Sequence, residues 1–333
     1  MPDAHRLVTR SDFDGLVCAT LLKHLGLVDE IVFVHPKDVQ DGIVELTAGD
    51  ICTNLPYDPR AGLVFDHHAS EVERNGRPDG TRADNHIIDA SAPSAARVVY
   101  DYYGGKARFP EIPEDLMAAV DQADSAQYSV EDILNPTGWT LLNYLMDSRT
   151  GLGRFRQFRI SNYALMMDLI DVCASMPVDE ILQLEDVAER VELYRQQSEL
   201  FVEQLRRVSS VDGQLVVVDY RDEQTIHAGN RFTVYALFPQ TTVSVHLIPG
   251  RANLNTVLAV GKSIVNRSSR FDIGTAMLRH GGGGHANAGT CQVEHDRADA
   301  VRAEIADLVN GRSTRVDSSS RSDLRPEPAA QRA

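Results

Sequence analysis

The feature that most constrains the fold of this sequence is a series of short aliphatic runs in its N-terminal part. Segments such as RLVT, EIVFVH and GLVFDHH lack the polar alternation of a strand with one face in water, and a helical pattern, DGLVCATLLKHLG, lies between the first two. Strands covered on both faces have this composition, and strands that alternate with helices form parallel sheets. We therefore predict an α/β protein with an N-terminal, doubly wound, mostly parallel sheet domain.

A change of pattern further along the chain indicates a second domain. From Ser91 the pattern is helical, and the segment from about Val178 to Val208 has the clearest helical periodicity. After Gly213 four strand-like segments follow: QLVVVDYR, RFTVYALFP, TTVSVHLIPG and NTVLAVGKS. They predict a smaller C-terminal α/β domain. We place a catalytic domain at 1–177, a helical connector at 178–210, a substrate-binding domain at 211–312 and a disordered tail at 313–333. The connector could instead be a dimerisation helix.

The charge of the chain limits its partners. It has 33 Lys and Arg against 48 Asp and Glu, a net charge of −15. Such a protein repels long polyanions except where a metal-filled site reverses the sign. This argues against a general nucleic-acid coat and against long duplex nucleic acid, while a small phosphorylated substrate remains compatible. The sequence shows no signal-peptide pattern and no long apolar run, so we predict a cytoplasmic protein without a membrane role.

Two short motifs place polar groups directly after predicted strands. Asp12 and Asp14 in SDFDG lie two residues apart, so in extended backbone both carboxylates can face one cation. A solvated N-capping turn is the alternative. Asp66, His67 and His68 follow an apolar run, and their oxygen and nitrogen donors suit Mn²⁺, Zn²⁺ or Fe²⁺ better than Ca²⁺. The alternative there is an exposed polar turn.

Further acids could complete a metal site. Asp50 adjoins another short strand and could supply a bridging carboxylate. Asp121 and Asp124 lie on an otherwise apolar helical face, where an acid needs a partner and a metal is one. For each of them the alternative is an ordinary acid on a helix surface.

A glycine-rich segment near the C-terminus, RHGGGGHANAG, allows a ligand to approach the backbone. Four consecutive glycines leave amide groups free to donate to a phosphate, and Arg279 and His285 add donors. A flexible linker is the alternative. Upstream, GKSIVNRSSRFD contains Lys262 and Arg267, which suit phosphate, although the segment could also be a solvated loop.

The segment 135–162 contains four arginines: Arg149, Arg154, Arg156 and Arg159. Three interpretations stay open for it: a basic patch that faces the substrate, a lid, and a surface helix with basic ends.

Taken in order, these motifs resemble the DHH family of phosphoesterases with the DHH-associated C-terminal domain. The resemblance spans most of residues 6–293 and rests on DxDG, an Asp on an intervening strand, DHH at 66–68, an acid at 121–124 and GGGGHxxAG. This family includes RecJ-like exonucleases, oligoribonucleases for very short RNAs, phosphatases of 3'-phosphoadenosine 5'-phosphate, cyclic-dinucleotide phosphodiesterases and proteins described as exopolyphosphatases.

The resemblance implies roles for individual residues. It implies two Mn²⁺ ions, with Mg²⁺ or another divalent ion as the alternative, and Asp50 as the bridging ligand. It places His68 beside the cations and the substrate, and it implies that Asp66 orients the imidazoles. The implied metal ligands are Asp12, Asp14, Asp50, His67 and Asp124, the last preferred to Asp121 because the turn ADSAQY matches the family better. The implied substrate-binding residues are Arg267, Gly282, Gly283, Gly284 and His285.

The function that the resemblance implies is hydrolysis of short oligonucleotides or small phosphorylated nucleotides by a water that two metal ions activate. The alternatives are an exopolyphosphatase and a non-catalytic, nucleotide-binding or regulatory member, and a homodimer is compatible with the sequence. One departure stands out. Many members carry a His shortly before the paired aspartates, where this chain has Arg10 and its neighbours. One metal ion would then lack a ligand or use water, and Arg10 could contact phosphate instead.

Overall fold

The structure is a computed structural model that describes residues 5–75 and 82–312. These residues form two compact units, and the chain passes between them several times. The first unit consists of the described residues of Met1–Val208, Glu223–Pro239 and Ile264–Asn266. The second consists of those of Ser209–Asp222, Gln240–Ser263 and Arg267–Ala333. The tail predicted to be disordered, 313–333, lies outside the described residues.

The first unit contains a five-stranded sheet in which all neighbouring strands are parallel, which confirms the predicted architecture. The strand order is β2-β1-β3-β4-β5. The order reverses between β1 and β3, and in such sheets ligands bind at the carboxyl ends of the strands at this point. The strands are β1 (His5–Arg10), β2 (Val28–Val34), β3 (Asp50–Thr53), β4 (Leu63–Asp66) and β5 (His86–Ile88).

Eleven helices of the described chain belong to this unit, and they explain why its strands are so apolar. The sheet residues Val8, Val64 and Phe65 are fully buried, as is Leu16 at the start of the first helix. The helices are α1 (Phe13–His24), α2 (Pro36–Gln40), α3 (Ala69–Asn75), α4 (Ala95–Tyr102), α5 (Glu114–Asp124), α6 (Val130–Leu134), α7 (Gly138–Met146), α8 (Asn162–Val172), α9 (Val178–Ile181), α10 (Glu185–Val208) and α11 (Thr233–Leu237). Within residues 5–75 and 82–312, no helix has both the length and the apolar content to cross a lipid bilayer.

Two predicted elements differ from the observed ones. The helix predicted from about Val178 to Val208 is interrupted, since α9 ends at Ile181 and α10 begins at Glu185; no Gly or Pro explains the break. The strand predicted for RFTVYALFP is wrong, because Thr233–Leu237 is helical. The side chain of Asn230 accepts a hydrogen bond from the Phe232 amide and turns the chain just before this helix.

The second unit is the smaller α/β domain that the sequence predicts. Its six-stranded sheet has the order β10-β11-β9-β8-β7-β6, and of its pairs β7–β8 is parallel and the others are antiparallel. The strands are β6 (Ser209–Asp212), β7 (Leu215–Asp219), β8 (Val243–Pro249), β9 (Thr256–Lys262), β10 (Gly283–His285) and β11 (Ala288–Val293). Two helices accompany them, α12 (Ile273–Leu278) and α13 (Ala298–Val309). Val245, Met277 and Ile305 belong to one apolar core shared by the sheet and both helices.

A histidine within β8 gives this unit a pH-dependent stability. Burial lowers the pKa of His246 from 6.5 to about 4, so between these values the unfolded chain binds a proton that the folded chain does not. The free energy of unfolding is therefore expected to fall by about 2 kcal/mol from pH 7 to pH 5 through this residue. Urea unfolding of the wild type and of His246→Gln at both pH values measures it. An equal loss in the two proteins would contradict the prediction.

Candidate metal centre

The paired aspartates lie where β1 passes into α1, at the carboxyl end of the sheet. Asp12 is the N-cap of α1, and its Oδ1 accepts a hydrogen bond from the Gly15 amide at 3.0 Å. A Cβ on Gly15 would lie 2.0 Å from the carbonyl oxygen of Arg10. Glycine therefore allows the helix to begin directly against the end of the strand, which fixes both carboxylates beside the switch point of the sheet.

Three of the predicted metal ligands converge here. Asp14, His67 and Asp124 each offer a ligand atom, and these atoms lie within 4.8 Å of one another. His67 Nε2 is 2.9 Å from Asp124 Oδ2. The elements that carry them are the first turn of α1, the residue after β4 and the last residue of α5. We call this group the metal cluster.

The surroundings of His67 prepare one of its ring nitrogens for a metal ion. Nδ1 lies 3.2 Å from the carbonyl oxygen of Ala92, and a carbonyl can only accept, so Nδ1 carries the hydrogen. Nε2 then presents its lone pair. It is buried and faces Asp124 Oδ2. A buried imidazole lone pair 2.9 Å from a carboxylate oxygen fits a divalent cation between them.

The pKa values show how unfavourable the metal cluster is without a cation. Burial, and then the charges of Asp124 and Asp12, raise the pKa of Asp14 well above its usual value. For His67, burial lowers the pKa, but the hydrogen bond to Asp124 and the charges of Asp14 and Asp124 outweigh it and raise the value to about 9. A proton thus takes the place that a divalent cation would fill. Oxygen and nitrogen donors of this kind suit Mn²⁺, Zn²⁺ or Fe²⁺.

The structure separates Asp121 from Asp124. Asp121 accepts hydrogen bonds from Arg97 and from the hydroxyl of Ser94, at 2.7 Å from the latter. It lines a groove of about 720 Å³ along α5 to which none of the metal-cluster residues contributes. Asp124 lines a small cavity of about 30 Å³ together with Asp12 and Asp14. That volume suits an ion or a water molecule, so this cavity, and not the larger groove, is the candidate metal site.

Asp12 adjoins the metal cluster but is already neutralised. Its Oδ2 forms an ion pair with Arg10, with Nε at 2.9 Å, and the side-chain amide of Asn54 donates to its Oδ1 at 3.2 Å. Asn54 follows β3 at the same edge of the sheet and was not predicted as a site residue. Its own Oδ1 is buried without a hydrogen-bond partner among the described residues, so it is a further possible ligand atom. The signal in the sequence was its position directly after a strand.

The prediction that Asp50 bridges two metal ions is wrong. Asp50 is the first residue of β3 and pairs in register with Arg6, near the start of β1. With a rise of about 3.3 Å per residue, it lies roughly 10 Å before the carboxyl end of the strand. Its oxygens accept hydrogen bonds from Arg6 at 2.8 Å and from the Thr47 amide at 2.6 Å. Asp50 therefore links β1 and β3 at the amino end of the strands, opposite the end that carries the metal cluster.

The two other residues of the DHH motif form a pair. His68 Nδ1 is 2.7 Å from Asp66 Oδ1, and Asp66 is fully buried while the His68 side chain is 42% exposed. The carboxylate therefore holds the imidazole with Nε2 directed away from Asp66. Asp66 contacts the His68 imidazole, whereas the Ala92 carbonyl orients the His67 imidazole.

The arginines of segment 135–162 do not form one patch. Arg159 pairs with Asp186, and Arg154 Nε donates to the carbonyl of Gly151. Arg149, by contrast, lines the 30 Å³ cavity beside the metal cluster, and so does Arg231, which no motif indicated. The two arginines are far apart in sequence and meet through the fold.

The predicted substrate-binding residues lie in the second unit. The glycine run forms a tight hairpin of β10 and β11. A Cβ on Gly282 would lie 2.1 Å from Thr290 O and one on Gly284 2.3 Å from Ala288 O, whereas one on Gly283 would meet no atom within 4 Å. Packing thus accounts for two of these glycines and leaves Gly283 free for a ligand. His285 is exposed, and Arg267 begins the last segment of the unit.

Comparison with known proteins gives matches among solved structures. No protein-family model matches the sequence, and the comparison with curated proteins gives no match. The chain is similar to PggH, a pGpG-specific phosphodiesterase from Vibrio cholerae, with 55% identity over 93% of this chain and 100% of that chain and a TM-score of 0.83. An exopolyphosphatase-related protein from Bacteroides fragilis shares 12% identity over 92% of each chain, with a TM-score of 0.53.

RecJ from Thermus thermophilus, solved in complex with Mn²⁺, shares 14% identity over 92% of this chain and 52% of that chain, with a TM-score of 0.50. The likeness to this protein and to the one from Bacteroides fragilis concerns the fold.

Proposed function

The chain belongs to the DHH family of phosphoesterases, and from this premise we propose that its substrate is a short linear dinucleotide of the pGpG type. The family makes it a phosphohydrolase, and the 55% identical relative is a phosphodiesterase specific for pGpG. Hydrolysis of the internal phosphodiester of pGpG adds one water, breaks the bond from phosphorus to the 3'-oxygen and leaves two molecules of GMP. The net charge of −15 agrees with a small substrate rather than a long nucleic acid.

The observation that carries the proposal is the convergence of Asp14, His67 and Asp124, whose ligand atoms lie within 4.8 Å of one another, with the buried Nε2 of His67 2.9 Å from Asp124 Oδ2. We propose that these three residues hold Mn²⁺, with Mg²⁺ as the alternative. A divalent cation in this position supplies Lewis-acid activation of water and of the phosphoryl group. The Ala92 carbonyl keeps His67 in the tautomer that binds metal.

The other residues of the DHH motif handle protons and water. Asp66 fixes His68 through Nδ1, so Nε2 of His68 is available at the exposed side of the site. We assign His68 the transfer of a proton to the leaving 3'-oxygen, since its ring lies 4.5 Å from that of His67 and its Nε2 is directed away from Asp66. Asp66 acts as a positioning residue, because it contacts the imidazole and not the reacting atoms.

The number of metal ions differs in this proposal from the two that the resemblance implies. Within residues 5–75 and 82–312, one group of side chains is arranged to hold an ion. Asp12 is paired with Arg10, and Asp50 lies at the other edge of the sheet. We propose one tightly bound cation. The Arg10 guanidinium supplies positive charge at Asp12, and this charge would repel a second ion there.

The second unit is proposed to bind the rest of the substrate through Arg267, Gly283 and His285, with Gly282 and Gly284 shaping the hairpin that presents them. The boundaries of the catalytic domain, connector and substrate-binding domain, the cytoplasmic location and the homodimer stay predictions from the sequence.

A panel of substrates tests the proposed function. Purified protein with Mn²⁺ is incubated with pGpG, 3'-phosphoadenosine 5'-phosphate or polyphosphate, and released GMP or phosphate is measured. We expect GMP from pGpG at a rate at least roughly tenfold above the release from the other two, a difference of about 1.4 kcal/mol in activation free energy. Release from polyphosphate alone would replace the proposal by an exopolyphosphatase. Bound metal without turnover of any substrate would indicate a non-catalytic, nucleotide-binding member.

A further inference from the structure

Two arginines next to the metal cluster share a single carboxylate. Asp147, at the end of α7, accepts a hydrogen bond from Arg149 Nε at 2.7 Å, and Arg231 Nε lies 3.9 Å from its other oxygen. The charges of Asp12 and Asp124 also act on Arg149, but these carboxylates lie on the metal side of the cavity, and a bound divalent cation would neutralise them, which would leave the arginine pair with one positive charge in excess. In a chain with a net charge of −15, this excess lies beside the site where phosphate chemistry is proposed.

The backbone and a neighbouring ring hold Arg231 in this position. The amide of Gly229 donates to the Thr150 carbonyl at 2.9 Å, which ties the segment 223–239 to the turn that carries Arg149. The Arg231 guanidinium carbon lies 4.2 Å from the centre of the Phe232 ring. The side chain of Arg231 is 40% exposed and that of Arg149 48%. Both cations are therefore fixed and reachable for a ligand.

Burial and the charge of Arg149 lower the pKa of Arg231 to about 10, which leaves this group positively charged at neutral pH. The proximity of two like charges is unfavourable, and Asp147 offsets it in part. An anion with several oxygens would offset it fully, since guanidinium groups bind phosphate through two parallel hydrogen bonds.

We propose that Arg149 and Arg231 form a subsite for the terminal 5'-phosphate of the dinucleotide, and that this subsite selects 5'-phosphorylated substrates. The inference rests on the proposed function and adds to it the group that is recognised. A terminal phosphomonoester carries about −1.5 to −2 at pH 7, more than the single charge of the internal diester. The reacting diester belongs at the metal cluster, so the arginine pair is available to the other phosphate.

The test compares pGpG with GpG, which lacks the 5'-phosphate, in the wild type and in Arg231→Gln. Loss of a hydrogen bond to a charged group costs about 1.5–3 kcal/mol, equivalent to about a 10- to 150-fold change. We expect kcat/KM for pGpG to fall by such a factor, mainly through KM, and kcat/KM for GpG to change less than about threefold. Arg231→Lys keeps the charge without the paired donors, so its kcat/KM for pGpG is expected to lie between those of the wild type and of Arg231→Gln.

Arg60→Gln serves as the matched control, because Arg60 also pairs with an aspartate, Asp58, and lies away from the cavity. Arg60→Gln is expected to leave kcat/KM unchanged for both pGpG and GpG. Equal losses for pGpG and GpG in Arg231→Gln would overturn the inference and assign Arg231 to the reacting phosphate or to folding. Absence of any preference of the wild type for pGpG over GpG would also overturn it.

A binding measurement separates failure of this inference from failure of the proposed function. Calorimetric titration of the wild type with 5'-GMP and with guanosine does not require turnover. Tighter binding of 5'-GMP that Arg231→Gln removes supports the subsite, whether or not pGpG is hydrolysed. Equal binding of the two ligands would contradict it.

Discussion

Replacement of His67 by alanine is expected to abolish both metal binding and hydrolysis. The change removes the imidazole that converges with Asp14 and Asp124, and it leaves the buried Asp14 and the partly buried Asp124 without a neutral ligand beside them. A catalytic metal stabilises the charge of the transition state by several kcal/mol, so its loss is expected to lower kcat by at least about 10³-fold. Metal retention after dialysis and GMP release from pGpG measure the two effects separately.

His35→Ala is the control for this prediction. His35 is a partly exposed histidine that caps α2, outside the metal cluster, and its loss is expected to leave metal content and rate unchanged. Retention of a full equivalent of metal by His67→Ala would contradict the assigned ligand set. Normal turnover by a metal-free His67→Ala protein would contradict the mechanism.

The second large effect is expected from Asp124→Asn, with Asp121→Asn as its matched control on the same helix. The amide at 124 cannot supply the negative charge that a divalent cation requires. Metal binding is therefore expected to be lost, and kcat is expected to fall by at least about 10²-fold. The amide at 121 weakens the contact with Arg97 and is expected to lower the free energy of unfolding by about 1–3 kcal/mol, with kcat preserved. The reverse pattern in the two variants would assign the metal to Asp121.

Both variants need a folding control, because α5 packs against α1 and α7. Circular dichroism melts of Asp124→Asn are expected to show a stability close to that of the wild type, since replacement of one of two repelling carboxylates offsets the lost contact with His67. A large loss of stability in Asp124→Asn together with its activity would show that the residue acts through folding.

The fold of the first unit was predictable because its strands contain short apolar runs without polar alternation, such as residues 7–8, 31–34 and 63–65. Val8, Val64 and Phe65 in these runs are fully buried. The segment RFTVYALFP was not predictable in the same way. Its apolar residues fit a short strand and a short helix equally well, and the turn at Asn230 decides for the helix.

For the site, the sequence indicated the residues that follow strands and missed what depends on register. His67 comes directly after β4 and Asp14 lies in the first turn of α1, which follows β1, so the parallel sheet brings them together. Asp50 begins its strand and Asn54 follows it, a distinction that requires the exact limits of β3. The pairing of Arg149 with Arg231 depends on how a distant loop folds back, which no local pattern encodes.

The central claim is that one divalent cation, held by Asp14, His67 and Asp124, makes this chain a hydrolase of short dinucleotides. The most direct measurement is GMP release from pGpG by metal-free protein as Mn²⁺ is added, with bound Mn²⁺ determined in the same samples. The account predicts that the rate rises from zero and levels off near one ion per chain. Full turnover without a divalent ion, or a rate that appears only after a second ion binds, would contradict it.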